Sequence, residues 1–575
     1  MPTFSNAPAC CAALEETETV CTSLLHLPAA LLNDIAGWAV QLECGGALSL
    51  TCRAISHANL LHAPAFRIQL DRQRCYQQLT PRVVAALQAR TDKLALTFEQ
   101  PRAQDSRRAL KLLGHILTRL GKCAALQLCK LSRSAPTKPV LKLHSPPSLA
   151  QRLLDSFPSL TALTIHGYSV TCSGLASLLC HSQLALQLQQ LDLTSTVIKE
   201  PKEPGPGAAA LSNLFQHAKL TQLSFDDCQH GLLLDLQPLA QHLTQLRVGH
   251  DYETLPAFIS AVGALPQLQV LTASHWHHGG SIGLPQLLQA LPRLHTLQLP
   301  RTTVRGQGQL VELLAATQLT SVSVLTFEHL EQPCAGLPCS WQRLEVGIVD
   351  CTSAACLPLT SLTQPLVLGN LLVGHPFVSS PKVSAAVLNL TLACNVPVKI
   401  RVLQLIMVDS PGEPADPGPP PTAPAIGQQR AKLQQLVTVL QELQSIEQLA
   451  ISNMKEVSVE DVVVMASLCQ GCTTLEFLRC GLSPSLDFWR QLVQLMPTVR
   501  SVSFTDCTGV DTEAMCESLV RMAEQPWARW LDIIIDIHIY RYQLPECCQA
   551  IKCRFDNPTS PAIFRVHFPV WPSAG

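Results

Sequence analysis

Residues 255–273 read LPAFISAVGALPQLQVLTA, and this stretch decides the fold class. Apolar residues in its first half recur at intervals of three and four, which predicts an amphipathic helix. In its second half, Leu268, Leu271 and Ala273 follow an apolar-x-x-apolar-x-apolar pattern. The alternation at the end of that pattern predicts a short strand with one buried face. A helix and a short strand therefore follow each other in one unit.

The strand pattern recurs along the chain, and successive copies between Leu160 and Trp341 begin 22 to 32 residues apart. One helix–strand unit cannot bury its apolar face alone, so neighbouring units are expected to stack into a solenoid. The copies are Leu160/Leu163/Ile165, Leu188/Leu191/Leu193, Leu220/Leu223/Phe225, Leu243/Leu246/Val248, Leu268/Leu271/Ala273, Leu294/Leu297/Leu299, Leu319/Val322/Val324, Trp341/Leu344/Val346, the more degenerate Thr363/Leu366/Leu368 and Ala385/Leu388/Leu390, then Ile400/Leu403/Leu405, Ile446/Leu449/Ile451, Leu475/Leu478/Cys480 and Val499/Val502/Phe504. Fainter copies at 92–98 and 123–131 extend the array toward the N-terminus.

This repeat resembles the leucine-rich-repeat superfamily over roughly residues 90–540, and its irregular lengths resemble ribonuclease-inhibitor-like helical repeats. The resemblance implies an α/β solenoid, with a curved parallel sheet and helices on the convex side. The family usually has Asn or Cys after the strand, bonded to the turn backbone. Most copies lack that residue, although Cys228, Cys480 and Cys507 lie near its place.

Two further segments organise the array. Residues 410–427, SPGEPADPGPPPTAPAIG, are too rich in proline for a helix or a central strand, which predicts an exposed insertion. Residues 530–540, WLDIIIDIHIY, alternate between isoleucines and polar residues, which predicts a strand near the end of the array. We place the solenoid at 71–545, preceded by a disordered N-terminus at 1–22 and a helical motif at 23–70, and followed by a cap or tail at 546–575.

The composition excludes several function classes. The net charge is −1 and only 14% of residues are charged, so nucleic acid or an anionic membrane is not expected as a partner. The first residues lack a basic segment followed by an apolar one, so no secretory signal is expected. The 24 cysteines are then interpreted as reduced, buried thiols of a cytoplasmic protein.

No motif indicates catalysis or a cofactor. The single CxxC, Cys469 to Cys472, ends a predicted helix capped by Gly471, and no second cysteine pair stands at zinc spacing. The histidines at 275–278 have no ligand partner nearby in sequence. Asp532 and Asp536 would lie about 13 Å apart on one strand, too far for paired acid–base work. Gly306-x-Gly308 lacks the third glycine of a dinucleotide loop, and Thr171 breaks the nucleophile elbow that would begin at Gly167. We expect no enzyme, no cofactor and no metal site.

What remains is the face formed by the strand side chains between the buried positions. These side chains are mostly neutral Thr, Ser and Gln, with neither a basic track nor an aromatic cluster. A protein partner is therefore expected on this concave face. The predicted partner-binding residues are His166, Asp192, Asp226, Arg247, Thr272, Gln298, Arg343 and Glu345.

The N-terminal residues 24–70 lie outside the repeat period. Leu27-Pro28 opens a helical apolar pattern, Gly45-Gly46 breaks it, and a second helix is predicted after the break. This region resembles the F-box, a three-helix motif that docks on the Skp-type adaptor of SCF ubiquitin ligases. The matching residues are Leu27, Pro28, Leu31, Leu32, Ile35, Leu48, Leu50, Cys52, Arg53, Pro64 and Phe66. The resemblance implies that the first five of these contact the adaptor.

The order of elements therefore predicts a non-enzymatic protein–protein interaction protein. With an F-box it would be the substrate-recognition subunit of an SCF-type ubiquitin ligase, and the repeats would hold the protein substrate. The alternative is a structural scaffold of the cytoskeleton or axoneme. In that case the N-terminal helices would act only as a cap on the first repeat.

Overall fold

The fold is taken from a computed structural model of the 575-residue chain. It describes residues 65–70, 79–89, 93–100, 106–133, 140–141, 149–179, 182–199, 215–228, 236–249, 255–274, 284–330, 332, 334, 338–373, 383, 387, 390, 394, 396–407, 423–443, 445–482, 485–508, 517–519, 521–522, 525, 531–536 and 564–567. The chain divides into two compact units. The first comprises residues 1–275 and 286–294, and the second comprises 276–285 and 295–575.

The first unit contains a parallel sheet with helices between its strands. Its strands run in the order β1-β2-β3-β5-β7-β8-β9-β10, and β4 pairs with β6, which pairs with β7. The strands are β1 Ala65–Gln69, β2 Leu94–Gln100, β3 Leu126–Arg133, β4 Val140–Leu141, β5 Ala162–His166, β6 Ser169–Thr171, β7 Gln190–Lys199, β8 Gln222–Cys228, β9 Gln245–Val248 and β10 Val270–Ala273. The helices are α1 Pro81–Ala89, α2 Ser106–Leu120, α3 Leu149–Ser156, α4 Cys172–Leu179, α5 Ser182–Gln187, α6 Leu255–Gly263 and α7 Leu284–Ala290, with a 3-10 turn at Gln237–Leu239.

The second unit repeats this architecture, and each of its described strands pairs in parallel with the next one in the chain. The strands are β11 Thr296–Arg305, β12 Ser321–Glu328, β13 Arg343–Asp350, β14 Leu366–Val373, β15 Val398–Ile406, β16 Ile446–Ser452, β17 Thr474–Leu478, β18 Ser501–Thr505, β19 Leu531–Asp536 and β20 Phe564–His567. The helices are α8 Gly306–Ala315, α9 Cys351–Ala355, α10 Ala423–Leu440, α11 Val459–Ala466 and α12 Leu486–Leu495, with a 3-10 turn at Leu359–Ser361.

The predicted repeat positions are confirmed as core positions. All members of the eight copies from Leu160 to Val346 are buried, and each is at most 4% exposed. The predicted strands at 92–98 and 123–131 correspond to β2 and β3, and the predicted helix in 255–268 is α6. Consecutive parallel strands joined by helices are compatible with a solenoid, so the α/β class is confirmed.

The predicted register fails in the degenerate copies. Thr363 is exposed, and the described residues in and next to the supposed strand at 385–390, which are Val383, Val387 and Leu390, are helical and buried at helical spacing. This explains why only 15 residues separated the predicted copies at 385 and 400: the first of them is the connecting helix. In a third copy, Phe477 is buried and Leu478 is only half-buried, so the repeat there is Cys472/Leu475/Phe477.

Strand β14 carries two consecutive sets of apolar residues. Leu366 and Leu368 pair with Val398 and Ile400, whereas Leu371 and Val373 pair with Leu403 and Leu405. The set that matches the following repeat is therefore Leu368/Leu371/Val373, which begins five residues after the predicted Thr363. Two sets fit because β14 is 8 residues long and β15 is 9.

Four predicted boundaries differ from the structure. Ala65–Gln69, placed in the N-terminal helical motif, is strand β1 and pairs with β2. Strand β20 pairs with β19, so the sheet continues beyond residue 545. Helix α10 begins at Ala423, inside the proline-rich run, because Pro424 stands in its first turn, where a missing N–H is tolerated. Helix α11 ends with its C-cap at Ser467, so Gly471 does not cap it.

A threonine at the start of several strands joins each strand to the previous one. The Thr244 hydroxyl donates to the carbonyl of Thr221 at 3.1 Å, and the Thr221 hydroxyl donates to the carbonyl of Gln189 at 3.1 Å. In the second unit, Thr320 and Thr473 make the same bond at 3.3 Å, to His295 and Glu447. We call these bonds the threonine ladder. Each acceptor carbonyl also accepts one or two backbone N–H bonds from the next strand, so the hydroxyl adds a side-chain donor to a carbonyl that already takes part in the strand pairing.

Candidate protein-binding face

The side chains that lie between the buried strand positions form one face of the sheet, which we call the open face. In the first unit, parallel register places Thr164, Asp192, Ser224, Arg247 and Thr272 in one row across five strands. These five side chains are half-buried or exposed. The structure therefore brings three of the predicted residues, Asp192, Arg247 and Thr272, into a single row.

Two other predicted residues of the first unit lie outside this row. His166 and Asp226 are each two residues further along their own strands, β5 and β8. Asp192 also has a local role, because its Oδ1 accepts a hydrogen bond from the Thr194 amide at 2.9 Å. This bond occupies one carboxylate oxygen and leaves the other for a partner.

In the second unit, Gln298 and Glu345 share a row with Ser323 between them, and Arg343 lies two residues earlier on β13. The Glu345 carboxylate contacts two arginines. One oxygen lies 3.8 Å from an Arg343 guanidinium nitrogen, and the other lies 3.4 Å from Arg401 on β15. Arg343 and Arg401 are 50% and 59% exposed, and Glu345 is 29% exposed. The outermost charge of this group is therefore positive.

Sequence reasoning missed Arg401. Its position next to Ile400 in a predicted repeat was an available signal, but no open-face residue was assigned beyond Glu345. The ion pair itself joins residues 56 positions apart and crosses β14. It forms because Gly347 and Gly369 occupy the positions between Leu325 and Arg401 in this row, so no side chain obstructs the guanidinium.

Amide and hydroxyl side chains connect β14 to β18 across the open face. Asn370 Nδ2 donates to Gln404 Oε1 at 3.3 Å, and Gln404 Nε2 donates to Ser452 Oγ at 3.4 Å. A second chain centres on Glu476, which accepts from Gln448 at 2.8 Å and from Thr505 at 3.4 Å. Each of these bonds runs diagonally, from one strand to a position two residues further along its neighbour.

Burial raises the pKa of the Glu476 carboxyl above its usual range, because desolvation outweighs the hydrogen bonds from Thr505 and Gln448 that favour its charged form. A carboxyl whose pKa is raised by folding stabilises the folded state fully when it is protonated. That stabilisation is lost as pH rises through the folded-state pKa.

We therefore expect Glu476→Gln to unfold at a higher temperature than the wild type at neutral pH, because it removes a partly desolvated charge. The difference in melting temperature should shrink toward zero on acidification, since the protonated carboxyl resembles the amide. Thermal unfolding followed by circular dichroism over a pH series measures it. Glu447→Gln, which alters an exposed carboxyl in β16, is the matched control. An equal shift at every pH would contradict the prediction.

The described cysteines are free thiols, and most are buried. Burial raises the pKa of Cys129 and Cys351 to about 12, so both stay protonated at neutral pH. Cys480 and Cys507 donate from Sγ to the carbonyls of Ile451 and Phe477, at 3.4 and 3.3 Å. Each bond reaches the preceding repeat, as the sequence indicated for these two turn residues.

The structure describes two further sequence candidates, the CxxC pair and Gly306. Cys469 and Cys472 follow α11 in the chain, and both are buried. Cys472 Sγ donates to the Leu468 carbonyl at 3.6 Å. Gly306 begins helix α8 with a positive φ of 73°. Across the residues that the structure describes, no three His, Cys, Asp or Glu side chains are grouped to hold a metal. The histidines at 275–278 lie outside those residues.

The predicted adaptor contacts Leu27, Pro28, Leu31, Leu32 and Ile35 also lie outside the described residues, as does Pro64. Phe66, the end of the matching pattern, lies in β1. Among the described helices, none has the length and apolar character needed to cross a membrane. No protein-family model matches this chain, and no curated protein matches it significantly in sequence.

Proposed function

We propose that this chain is a non-enzymatic leucine-rich-repeat protein that binds another protein on the open face of its sheet. The observation that carries the proposal is the arrangement of that face. In each unit, parallel strands present aligned rows of half-buried and exposed polar side chains, while the apolar positions of the same strands are buried. Extended polar surfaces of this kind suit protein partners better than small molecules, which bind in deep pockets lined mostly by apolar side chains.

We further propose that residues 23–64 form an F-box and that the protein is a substrate-recognition subunit of an SCF-type ubiquitin ligase. Support comes from the spacing of Leu27-Pro28, Leu31-Leu32 and Ile35 to Cys52-Arg53, and from the position of this motif ahead of the repeats. The Skp-type adaptor would bind the apolar face of the first helix, and the open face would bind the substrate.

Binding of purified Skp-type adaptor to the full chain tests this role. Leu31→Asp/Ile35→Asp should reduce adaptor retention in a pull-down by at least tenfold, because two charges would be desolvated in an apolar interface. Asn33→Asp adds one charge on a polar position of the same predicted helix and should leave retention unchanged. The SCF role is wrong if the wild type retains no adaptor or if the double variant binds as well as the wild type.

A structural scaffold is the second candidate, and strand β1 favours it. Phe66 belongs both to the matching motif and to a strand that pairs with β2, so the motif runs directly into the sheet. A helical cap that covers the first strands would be joined directly to the sheet in this way. In this case deletion of residues 1–62 should lower solubility, and the full chain should co-sediment with cytoskeletal filaments without binding the adaptor.

A further inference from the structure

An exposed apolar side chain stands on the open face of the second unit. Ile348 on β13 is 37% exposed, between the buried Val346 and Val349. The other large apolar residues that are this exposed in the described part of the chain are Leu186, Val311, Val463 and Leu495, and all four lie on helices. Ile348 is therefore the one exposed apolar anchor that the described strands offer to a partner.

Three cations lie on one side of this anchor, toward the start of the strands. Arg343 lies on the same strand, and Arg401 and Lys399 lie on β15, two strands away. Two carboxylates face them. Glu345 is covered by both guanidinium groups, and the exposed Glu447 stands opposite Arg401 in the register of β16. Because the arginines are about twice as exposed as Glu345, an approaching partner meets positive charge first.

A channel without side chains runs between the Ile348 side chain and the Glu345 carboxylate. Gly347 and Gly369 are neighbours in the row between Leu325 and Arg401, and main chain forms the floor there. Glu345 and Val367 line one side of this row, and Ile348 and Asn370 line the other. The channel crosses two strand spacings, about 10 Å, which is the length of about three residues in an extended chain.

We propose that this part of the open face binds an extended acidic segment of a partner protein, in which carboxylates lie on one side of an apolar side chain. The apolar side chain would contact Ile348, and the carboxylates would pair with Arg343, Arg401 and Lys399. Arg343 and Arg401 make only long contacts with Glu345, at 3.8 and 3.4 Å. Closer charge-assisted hydrogen bonds from these arginines to the partner's carboxylates would favour the complex. The inference rests on the proposed function of the open face as a protein-binding surface and names the chemistry of its partner.

The same cations suit nucleic acid less well. Three basic side chains with two carboxylates beside them give a net charge of +1, and none of the residues within β16, β17 or β18 is basic, whereas a continuous phosphate backbone would require basic residues there. An anionic backbone would also leave Ile348 without an apolar contact. These differences separate the two classes of partner in an experiment.

Selection of short random peptides, displayed on phage, against the full wild-type chain tests the proposal. We expect enrichment of peptides in which two or more Asp or Glu residues lie on one side of an apolar residue. One enriched peptide, made synthetically, should bind the wild type in fluorescence anisotropy and bind Arg343→Gln/Arg401→Gln roughly tenfold more weakly. Ile348→Ser should also weaken it, because its apolar contact is lost. Arg500→Gln, an exposed arginine at the start of β18, should bind as the wild type does.

The proposal would be overturned by enrichment of peptides that are not acidic, by equal binding to the double arginine variant, or by displacement of the peptide by single-stranded DNA at equal concentration. Peptide binding to Asp192→Asn/Arg247→Gln, a variant of the first unit, distinguishes failure of the acidic-segment proposal from failure of the proposed protein-binding function. If the selected peptides depend on that pair instead, the open face still binds protein and only the acidic segment is wrong. If no peptide is enriched, this inference fails, while the adaptor pull-down still tests the SCF role. Circular dichroism melting of each variant checks that the fold is intact.

Discussion

Gly369→Ala is expected to destabilise the second unit by roughly 3 kcal/mol, close to the upper end of the usual range for overpacked sites. A Cβ on residue 369 would lie 2.4 Å from the carbonyl oxygen of Gly347, and the obstacle is main chain that cannot rotate away. The two strands would have to separate at a point where both are paired on each side. Thermal unfolding and the midpoint of urea unfolding measure the loss.

Gly308→Ala is the matched control for this substitution. A Cβ at Gly308 meets no atom within 4 Å, and the residue lies in helix α8. Alanine there should stabilise the helix by up to about 1 kcal/mol, because it loses less backbone freedom on folding than glycine does. The close approach of β13 and β14 would be contradicted if the two variants changed stability in the same direction.

Trp489→Ala is expected to cost about 3–5 kcal/mol, the usual loss when a large buried aromatic residue is truncated. Trp489 in α12 is fully buried and packs edge-on against Phe488 and Phe504, at ring-centroid distances of 5.3 and 6.1 Å. Its indole nitrogen donates to Ser518 Oγ at 3.1 Å. Truncation would leave a cavity between α12 and β18 and remove the hydrogen bond to the Ser518 hydroxyl.

Two variants separate packing from hydrogen bonding at this site. Trp489→Phe keeps most of the ring volume and should cost less than the alanine variant, and Ser518→Ala should cost about 1 kcal/mol for the lost hydrogen bond. Loss of the near-ultraviolet circular dichroism signal and a lower urea midpoint report these changes. Equal effects of Trp489→Ala and Ser518→Ala would show that packing around the indole contributes little.

The repeat was predictable because its signal is local. Leu268, Leu271 and Ala273 lie within six residues, and their spacing alone decides which side chains the sheet buries. Where apolar residues are too frequent, this signal becomes ambiguous. Residues 383–390 supply apolar side chains at both strand and helix spacing, and only the length of the connection required between β14 and β15 decides for the helix.

The open face was predictable as a surface but not as a set of contacts. Alternation along each strand identified Asp192, Arg247 and Glu345 as residues of that face. Which side chains meet depends on the register between strands that are 20 to 60 residues apart in sequence, and no local rule gives that register. The pairing of Arg401 with Glu345 and the bonds at Glu476 both depend on it. The adaptor contacts at 27–35 remain a prediction.

The threonine ladder shows that the register of the sheet does not depend on the length of the repeat. The same hydroxyl-to-carbonyl bond spans 34 residues between Thr161 and Gln127 but only 23 residues between Thr244 and Thr221. Insertions and deletions in the connecting segments therefore lengthen or shorten the chain between two of these hydrogen bonds without changing which residues the bonds join. Evolution could vary the length of each repeat, and with it the outer surface of the molecule, while the rows of the open face stayed aligned.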